Sequence, residues 1–520
     1  MFAPSKELLN WWDDYRFLAF ICLAMALPLV WPTVPPLTDL IGHMGRYKVQ
    51  LDVGTSPALR EWYSFEWRLI GNLGIDLLVI PMSRIFGLEL AVKLIATSIP
   101  VLTAAGMLWT AREVHGRIPG SAFFALPLAY GYPFLFGFAN FALSMALALL
   151  GFALWLRLGR LGRDGVRAAV FLPLGFVIWV CHSYGWGFLG LLAFSAEFVR
   201  KRDADVSRVI ALFRAGLFCL PLAPPVLLML LWRSGGVSGG TGDWFNFQAK
   251  MLWMARALSD RWSDYDTVCL IVLVGALLVG LVSPRFRFSR TLGAASLILF
   301  AVFLLLPRIL LGSAFADMRL FPYALAIALI AITPVPGSGS RTGQILACAG
   351  LAFLAIRLVG NTASFALYAA RHERALAALD HVPRGARLVS FANGECGYEW
   401  PTQRLEHLPA MAIVRREAFS NDQWAMAGAQ LLKVRKDDAP RFMGDSSQIV
   451  IRPGCVHQGL LTLNQSLAAL PRSAFDYIWL LDPQALDPKL LYGTTRIWTN
   501  GTDALYRINR SQPGSSESAP

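Results

Sequence analysis

The chain has 520 residues, of which 55% are hydrophobic and only 16% charged, with mean hydropathy +0.49 and formal net charge +13. Soluble domains carry about 25% charged residues, so composition excludes an ordinary soluble enzyme and indicates a membrane protein. From Asn361 onward 17 Lys/Arg stand against 15 Asp/Glu, so +11 of the charge falls on the first 360 residues; that is the mark of Arg-rich membrane loops, not of a nucleic-acid binder.

Taken in order, the N-terminus (Lys6, Asp13, Asp14, Arg16) has no small-residue cleavage site and reads as an uncleaved anchor. An apolar run from Phe17 to Val34 is long enough to span a bilayer. Directly after it come Asp39, His43 and Arg46, spaced i, i+4, i+7, which places an acid, an imidazole and a guanidinium on one helix face at the membrane surface. Residues 69–86 carry Asn72, Asp76 and Pro81 and suit a re-entrant or surface-lying helix better than a crossing.

Further spans are expected near 88–109, 121–134, 138–156, 168–181, 184–199, 209–232, 267–283, 291–307, 321–334 and 343–360. With the N-terminus inside, about eleven spans put every basic loop (Arg112 and Arg117; Arg157 to Arg167; Arg200 to Arg208; Arg285 to Arg290) in the cytoplasm and Asp39 outside. Two outer turns, Tyr130 to Phe141 and Cys181 to Gly187, interrupt apolar runs with aromatic and small residues. Non-helical backbone at membrane depth is tolerated where protein or water satisfies it, so both are expected to line a cavity. The loop from Arg233 to Asp266 opens with a glycine-rich linker, Gly235 to Gly242, and continues as an aromatic, interfacial piece. A last outer turn, Pro307 to Pro322, is flanked by Arg308 and Arg319.

The tail changes character. A helical stretch, Ala363 to Asp380, precedes β-rich runs at 386–391, 411–414, 448–451, 477–481 and 504–508, with helical pieces near 459–470 and 484–491 between them. This alternation predicts a small α/β domain over 361–510, outside the cytoplasm, with 511–520 disordered and 1–360 forming the membrane module. Cys396 and Cys455, in the tail, can pair there; the other five cysteines lie in apolar runs and read as small hydrophobes. No Cys or His cluster has zinc spacing, and no P-loop, dinucleotide fingerprint, nucleophile elbow or HExxH site occurs.

Charged residues in or beside a span are costly and tend to be functional, which selects Asp39, His43, Arg46, Asn72, Asp76, His182, Arg308, Asp317, Arg319 and, more weakly, Arg357. Asp39 follows the stiff Pro35-Pro36 pair and can take a proton from an acceptor hydroxyl as a phosphate leaves; the competing role for Thr38 or Asp39 is to cap the next helix. His43 and Arg46 either orient that acid and bind an anion or form a solvated face. Arg308 and Arg319 suit the phosphate of a lipid-linked donor, unless Arg319 pairs with Asp317. His182 is a second anion contact or a cavity histidine bonded to backbone. Asn72 and Asp76, one turn apart, line the same site or only cap a turn, and His407 is assigned a structural role.

The order of elements, with a first span, an outer loop opening on an acid, amphipathic segments and an external tail domain, resembles the GT-C superfamily of integral-membrane glycosyltransferases, which includes protein O-mannosyltransferases, lipid A aminoarabinose transferases and oligosaccharyltransferases. Asp39, His43 and Arg46 also match a bacterial group whose first loop reads Asp-x-x-x-His-x-x-Arg, with a Gly-Phe-x-Asn-Phe turn found here at Gly137 to Phe141. The resemblance implies a polyprenyl-phosphate sugar donor and Asp39 as general base of an inverting displacement, with a glycan, lipid or protein acceptor on the outer face of a bacterial inner membrane. Leu40 follows Asp39 where many members have Asp-Glu, and the second-loop acidic motif that binds metal in oligosaccharyltransferases has no counterpart between Tyr130 and Phe141; metal independence and no cofactor beyond the lipid-linked sugar are therefore expected. Two other classes stay open: an O-antigen-type polymerase or ligase, which leans on outer-loop Arg and His residues, and a transporter or assembly scaffold, which calls for acidic residues in repeated spans.

Overall fold

The computed structural model describes residues 10–233, 240–336, 340–394, 399–401, 403–425, 430–455 and 459–510. They form two compact units, the first built mainly of residues 10–33 and 69–366, the second mainly of residues 34–68, 367–425 and 430–510.

The first unit is almost wholly helical. Among the described residues five helices are long and apolar enough to cross a membrane: Leu88–His115, Ala139–Arg160, Asp164–Cys181, Ser263–Val282 and the helix through Arg341–His381. A bent pair, Arg208–Phe218 with Leu220–Leu230, makes a sixth if it is one span, and Tyr15–Ala24, Ala122–Leu135, Arg290–Leu305 and Phe321–Ala331 are shorter apolar helices. Between apolar helices small residues permit close approach. A Cβ on Gly106 would stand 2.6 Å from Leu149 Cβ, so glycine lets Leu88–His115 lie directly on Ala139–Arg160. Gly74–Phe86, within the segment expected to be a re-entrant or surface-lying helix, is a 13-residue helix with Pro81 inside it and Gly74, Ile75, Asp76 and Val79 buried.

The basic loops gather at one end. Arg117, Arg160, Arg167, Arg200, Arg287 and Arg290 line a single cleft of about 600 Å³. Its floor is the buried Arg167–Glu197 pair at 2.7 Å, with Trp155 Nε1 donating to Glu197 at 3.1 Å and the Arg167 guanidinium over the Trp155 ring. That convergence is what loops on one side of a membrane require.

The second unit carries a six-stranded sheet in the order Leu461–Thr462, Ile449–Ile451, Leu388–Asn393, Tyr477–Leu481, Ala504–Ile508, Thr494–Thr499. The first four run parallel; Ala504–Ile508 pairs antiparallel with Tyr477–Leu481 and with the edge strand Thr494–Thr499. Leu388–Asn393 is buried along its whole length, as a central parallel strand must be. Its core includes Val389, Phe391, Phe419, Phe442, Phe475, Ile478 and Leu480.

Three features depart from the sequence expectation. Met411–Arg416 is a helix, not a strand: it continues a 3-10 turn started by Leu408-Pro409, and an apolar run of four residues has no period with which to choose. The last span and the helical start of the tail are one continuous helix, Ser340–Leu376. Val34–Arg68, grouped with the membrane module from sequence, belongs to the unit of the sheet: Tyr63–Phe65 pairs with Leu432–Val434, and Val49, Leu59 and Tyr63 join its core. Cys455 is disulfide-bonded, whereas Cys22, Cys181, Cys219, Cys269 and Cys348 are free; the expected partner, Cys396, and the expected disordered tail 511–520 lie outside the described residues, as do 234–239 within the glycine-rich run.

Candidate functional site

All but one of the residues singled out from sequence fall into two clusters, one in each unit.

In the second unit, Asp39, His43 and Arg46 lie on the helix Thr38–Asp52. Its N-cap is Leu37, with no side-chain capping bond, so neither Thr38 nor Asp39 caps it; Asp39 sits in the first turn, where a carboxylate gains from the helix dipole. The helix is not a solvated one. Leu40, Ile41, Met44, Tyr47 and Val49 are fully buried, Arg46 is 2% exposed, and Asp39 and His43 are half-buried.

Residues far along the chain fix this helix in place. Arg404 donates from Nη1 to Pro36 O at 2.8 Å and lies over the Tyr368 ring, so a buried guanidinium grips the Pro35-Pro36 approach. Gln423 Nε2 donates to Gly42 O at 3.1 Å. Cβ atoms on Gly42 and Gly45 would fall 2.6 Å from the Trp424 ring and 2.8 Å from Gln423 Nε2, so both glycines are needed for the close approach.

The Trp424 ring contacts two histidines, with centroids 5.1 Å from His43 and 4.2 Å from His407. Nδ1 of each histidine is covered and, among the described residues, has no hydrogen-bond partner. Burial, then the Arg46 charge and His407, hold the His43 pKa well below the ordinary imidazole range, so His43 is neutral. Burial likewise lowers His407. Asp422 is fully buried; burial pushes its pKa up to about 7, although its Oδ1 accepts from Ser420 Oγ at 2.9 Å and Gln423 Nε2 at 3.3 Å. Its Oδ2 stands 4.0 Å from His407 Nδ1. His407, assigned a structural role from sequence, thus belongs to a buried polar cluster around Trp424.

In the first unit, the segments 71–76, 137–141, 180–184 and 313–319 come together. Asn140, of the Gly-Phe-x-Asn-Phe turn, ties three of them. Its Oδ1 accepts from Ile75 N at 2.7 Å, and its Nδ2 reaches Asn72 O, Asn72 Oδ1 and Asp76 Oδ2 at 3.1, 3.0 and 3.1 Å. Cys181 Sγ lies 3.6 Å from Asn140 O, and Ser183 N donates to Gly71 O at 2.9 Å. Both interrupted turns are therefore hydrogen-bonded by protein, and Asn72 and Asp76 sit at their junction.

Arg319 is 7% exposed, donates to Ser313 Oγ at 3.1 Å and Ala314 O at 3.3 Å, and lies over the Phe138 ring at 4.1 Å. Its Nη1 faces His182 Nε2 at 3.5 Å. His182 Nδ1 accepts from Tyr184 N at 3.1 Å, which in the neutral ring leaves the proton on Nε2. A guanidinium N–H and an imidazole N–H are then neighbours, a pair of donors that an anionic oxygen suits. Asp317 forms an ion pair with Lys250 at 3.2 Å, both buried. Lys250 went unrecognised in the sequence because it lies inside the aromatic interfacial stretch.

Arg308 is more exposed. It pairs with Asp243 at 3.4 Å and lies over Phe315; Phe315 and Phe136 connect it to the Phe138 ring under Arg319. Arg357 takes no part in either cluster and is buried against Asp266 at 2.7 Å.

No family model and no curated protein matches the chain. Among solved structures it is similar to ArnT from Cupriavidus metallidurans bound to undecaprenyl phosphate, at 12% identity and TM-score 0.50 over 94% of this chain and 96% of that one. The apo form of the same protein gives 11% identity and TM-score 0.48 over 95% and 97%. The likeness is one of fold, and it extends over nearly the full length of both chains.

Proposed function

We propose that the chain is a membrane glycosyltransferase of the GT-C type. It moves a sugar from a polyprenyl-phosphate donor to a glycan, lipid or protein acceptor on the outer face of a bacterial inner membrane, with inversion. The observation that carries this reading is the fold shared end to end with ArnT, which was crystallised with undecaprenyl phosphate. In this reading about eleven spans place the N-terminus in the cytoplasm and the sheet-bearing unit outside, and the convergence of the basic loops supports that orientation.

Asp39 serves as general base. It takes the proton of the acceptor hydroxyl as that oxygen attacks the anomeric carbon from the face opposite the phosphate. The bond from the anomeric carbon to the phosphate oxygen breaks, and the polyprenyl phosphate leaves with the electron pair. His182 and Arg319 supply N–H groups to the phosphate, with Arg308 as an outer cation. His43 and Arg46 hold the acid's surroundings, and Asn72 and Asp76 shape the donor's approach through Asn140. Metal independence is part of the proposal, because the first-loop acid stands without the second-loop acidic motif of the metal-binding members.

The test is Asp39→Asn. Transfer falls by about 10²- to 10⁴-fold, the usual worth of a positioned general base, while expression and thermal unfolding stay as in the wild type. Full activity in Asp39→Asn refutes the assignment. A second reading, an O-antigen-type polymerase or ligase, is favoured by one observation, the approach of Arg319 Nη1 to His182 Nε2 at 3.5 Å. It is chosen if Arg319→Ala abolishes the reaction and Asp39→Asn does not.

A further inference from the structure

Two hollows of the first unit meet at one short piece of sheet. Phe286–Phe288 pairs antiparallel with Ile332–Pro334, and Ser289 N and Val335 N extend the pairing to Ala331 O and Arg285 O at 2.8 and 2.9 Å. Arg287, Phe288, Thr333 and Pro334 of this pair line the cleft of about 600 Å³ in which the basic loops converge. Phe286 and Ile332 of the same pair line a second hollow, of about 440 Å³.

The second hollow is an apolar groove bordered by two spans. It lies along Val272 to Gly280 of the helix Ser263–Val282 and along Leu346 to Ile356 of the helix Ser340–Leu376, with the stacked rings of Phe124 and Phe353 in its wall. At 1.5 Å per residue the stretch from Leu346 to Ile356 is about 15 Å long, half of the ~30 Å hydrocarbon core and so the depth of one leaflet. Ala276, Ala349 and Ala352 leave the trough unfilled, and Val272, Val279 and Ile356 beside it are exposed, which opens it to lipid.

The cleft holds an excess of charge. Six arginines line it against three acids. Glu113 pairs with Arg160 at 2.6 Å, Glu197 with Arg167 at 2.7 Å, and Asp203 with Arg290, which leaves three positive charges over. Arg287 is exposed and forms no ion pair among the described residues. Its charge and that of Arg117 both act on the His115 ring, so two guanidinium groups lie about one imidazole. Like charges gathered in one cleft repel, and a phosphate among them relieves that repulsion through charge-assisted hydrogen bonds.

The charge bias of loops accounts for arginines on this side of the membrane. It does not account for an apolar groove one leaflet deep that ends on them. We propose that the two hollows bind one anionic phospholipid of the leaflet that the basic loops face, with its phosphate in the arginine cleft and one acyl chain in the groove. A free phosphate uses the cleft alone, and a zwitterionic phospholipid leaves the excess charge unanswered. The site goes beyond the transfer reaction and depends on neither the donor nor Asp39.

The test is native mass spectrometry of the full chain in detergent, with phosphatidylglycerol, phosphatidylethanolamine of the same acyl chains, undecaprenyl phosphate and glycerol 3-phosphate added singly and in competition. One phosphatidylglycerol is retained more tightly than phosphatidylethanolamine, by about tenfold or more. Arg287→Gln removes one charge-assisted partner and lowers that retention about tenfold. Ala352→Phe fills the groove and lowers it by a similar factor. Both positions are exposed, and each variant tests a different hollow, so either arm stands without the other. Equal retention of the two phospholipids, or retention unchanged in both variants, overturns the proposal. So does glycerol 3-phosphate held as tightly as phosphatidylglycerol, which makes the cleft a soluble-phosphate site. Undecaprenyl phosphate displacing phosphatidylglycerol assigns the hollows to the polyprenyl carrier and overturns it as well.

Discussion

Asn140 offers a quantitative test of the junction in the first unit. Its amide is 7% exposed and serves Ile75 N, Asn72 and Asp76 at once. Asn140→Leu keeps the volume roughly constant but strands the Ile75 N–H and withdraws a donor from the Asp76 carboxylate, itself 2% exposed. A stranded buried N–H costs about 1–3 kcal/mol and a lost hydrogen bond to a charged group about 1.5–3, so about 3–5 kcal/mol in all. Asn140→Asp keeps the acceptor for Ile75 N but sets a second carboxylate beside Asp76 Oδ2, the contact being 3.1 Å in the wild type, and destabilises by as much or more. The exchange Asp76→Asn with Asn140→Asp restores one amide and one acid at the same junction. The double variant therefore unfolds at a higher temperature than Asn140→Asp alone, with a coupling above about 1 kcal/mol. Tryptophan-fluorescence melts of the four proteins in one detergent give the answer. An Asn140→Asp melt like that of the wild type, or purely additive effects in the double variant, refutes the reasoning.

Three further predictions follow from buried charge. The Asp422 pKa is pushed up to about 7 in the fold against about 4 in the unfolded chain, so the folded state holds a proton that the unfolded state loses. Its contribution to stability is fully present below about pH 4 and is lost as pH rises through 7, by up to about 4 kcal/mol. His43 and His407, both lowered, act in the opposite sense and remove stability as pH falls below about 6.5. Asp422→Asn, which keeps an acceptor for Ser420, is thus expected to raise the melting temperature at pH 8 and not at pH 5; an equal change at both refutes the shift. Arg319→Lys keeps the charge but loses the planar contact with Phe138 and the reach to Ser313, and is expected to weaken undecaprenyl-phosphate retention about tenfold in native mass spectrometry. Arg357→Met removes the 2.7 Å ion pair from the buried Asp266 carboxylate, at a cost of about 3–5 kcal/mol, whereas Arg357→Met with Asp266→Leu recovers part of it, the Asp260 N–H losing its acceptor. If the double variant melts no higher than the single one, that account fails.

Hydropathy and charge made the first unit legible. Five of the apolar runs became long helices, others became short or bent ones, and the Arg-rich loops converged, because burial in lipid and the charge bias of loops act on local composition. In the second unit the apolar runs around 388, 449, 477 and 504 became strands, since each is short, β-branched or aromatic, and bounded by turns. Thr494–Thr499 was missed because an edge strand with half its residues exposed has no apolar pattern to show. The clusters were only partly legible. Asn72, Asp76, His182 and Arg319 stand out as polar residues in apolar runs, and that rule located them. It is silent on Asp422, Gln423, Trp424 and His407, which lie in polar sequence, and no spacing links Gly42 to Gln423 across 381 positions. Gly42 and Gly45, three apart on a helix otherwise buried on that side, were the available sign of a close neighbour.

Those two glycines change the meaning of the Asp-x-x-x-His-x-x-Arg pattern. Were Asp39, His43 and Arg46 three ligands on an open face, the residues between them would be free to vary in size. Instead Gly42 lies against Trp424, Gly45 lies against Gln423, Ala410 and Ile413, and Arg46 is buried. The pattern therefore describes a docked helix whose rotation is set by residues 407–424, and the direction in which Asp39 points is inherited from that docking. The two glycines are not equivalent in this respect. At Gly45 the nearest atom to a new Cβ is the end of the Gln423 amide at 2.8 Å, with Ala410 and Ile413 at 3.1 and 3.2 Å, so Gly45→Ala displaces one side-chain end and strains its bonds to Gly42 O and Asp422. At Gly42 two Trp424 ring atoms stand at 2.6 Å, and a rigid indole held between two histidines cannot give way without moving both. Gly42→Ala is accordingly expected to reduce transfer well beyond Gly45→Ala while the protein still retains undecaprenyl phosphate. Equal activity in the two variants would mean that Asp39 takes its direction from something other than the Trp424 cluster.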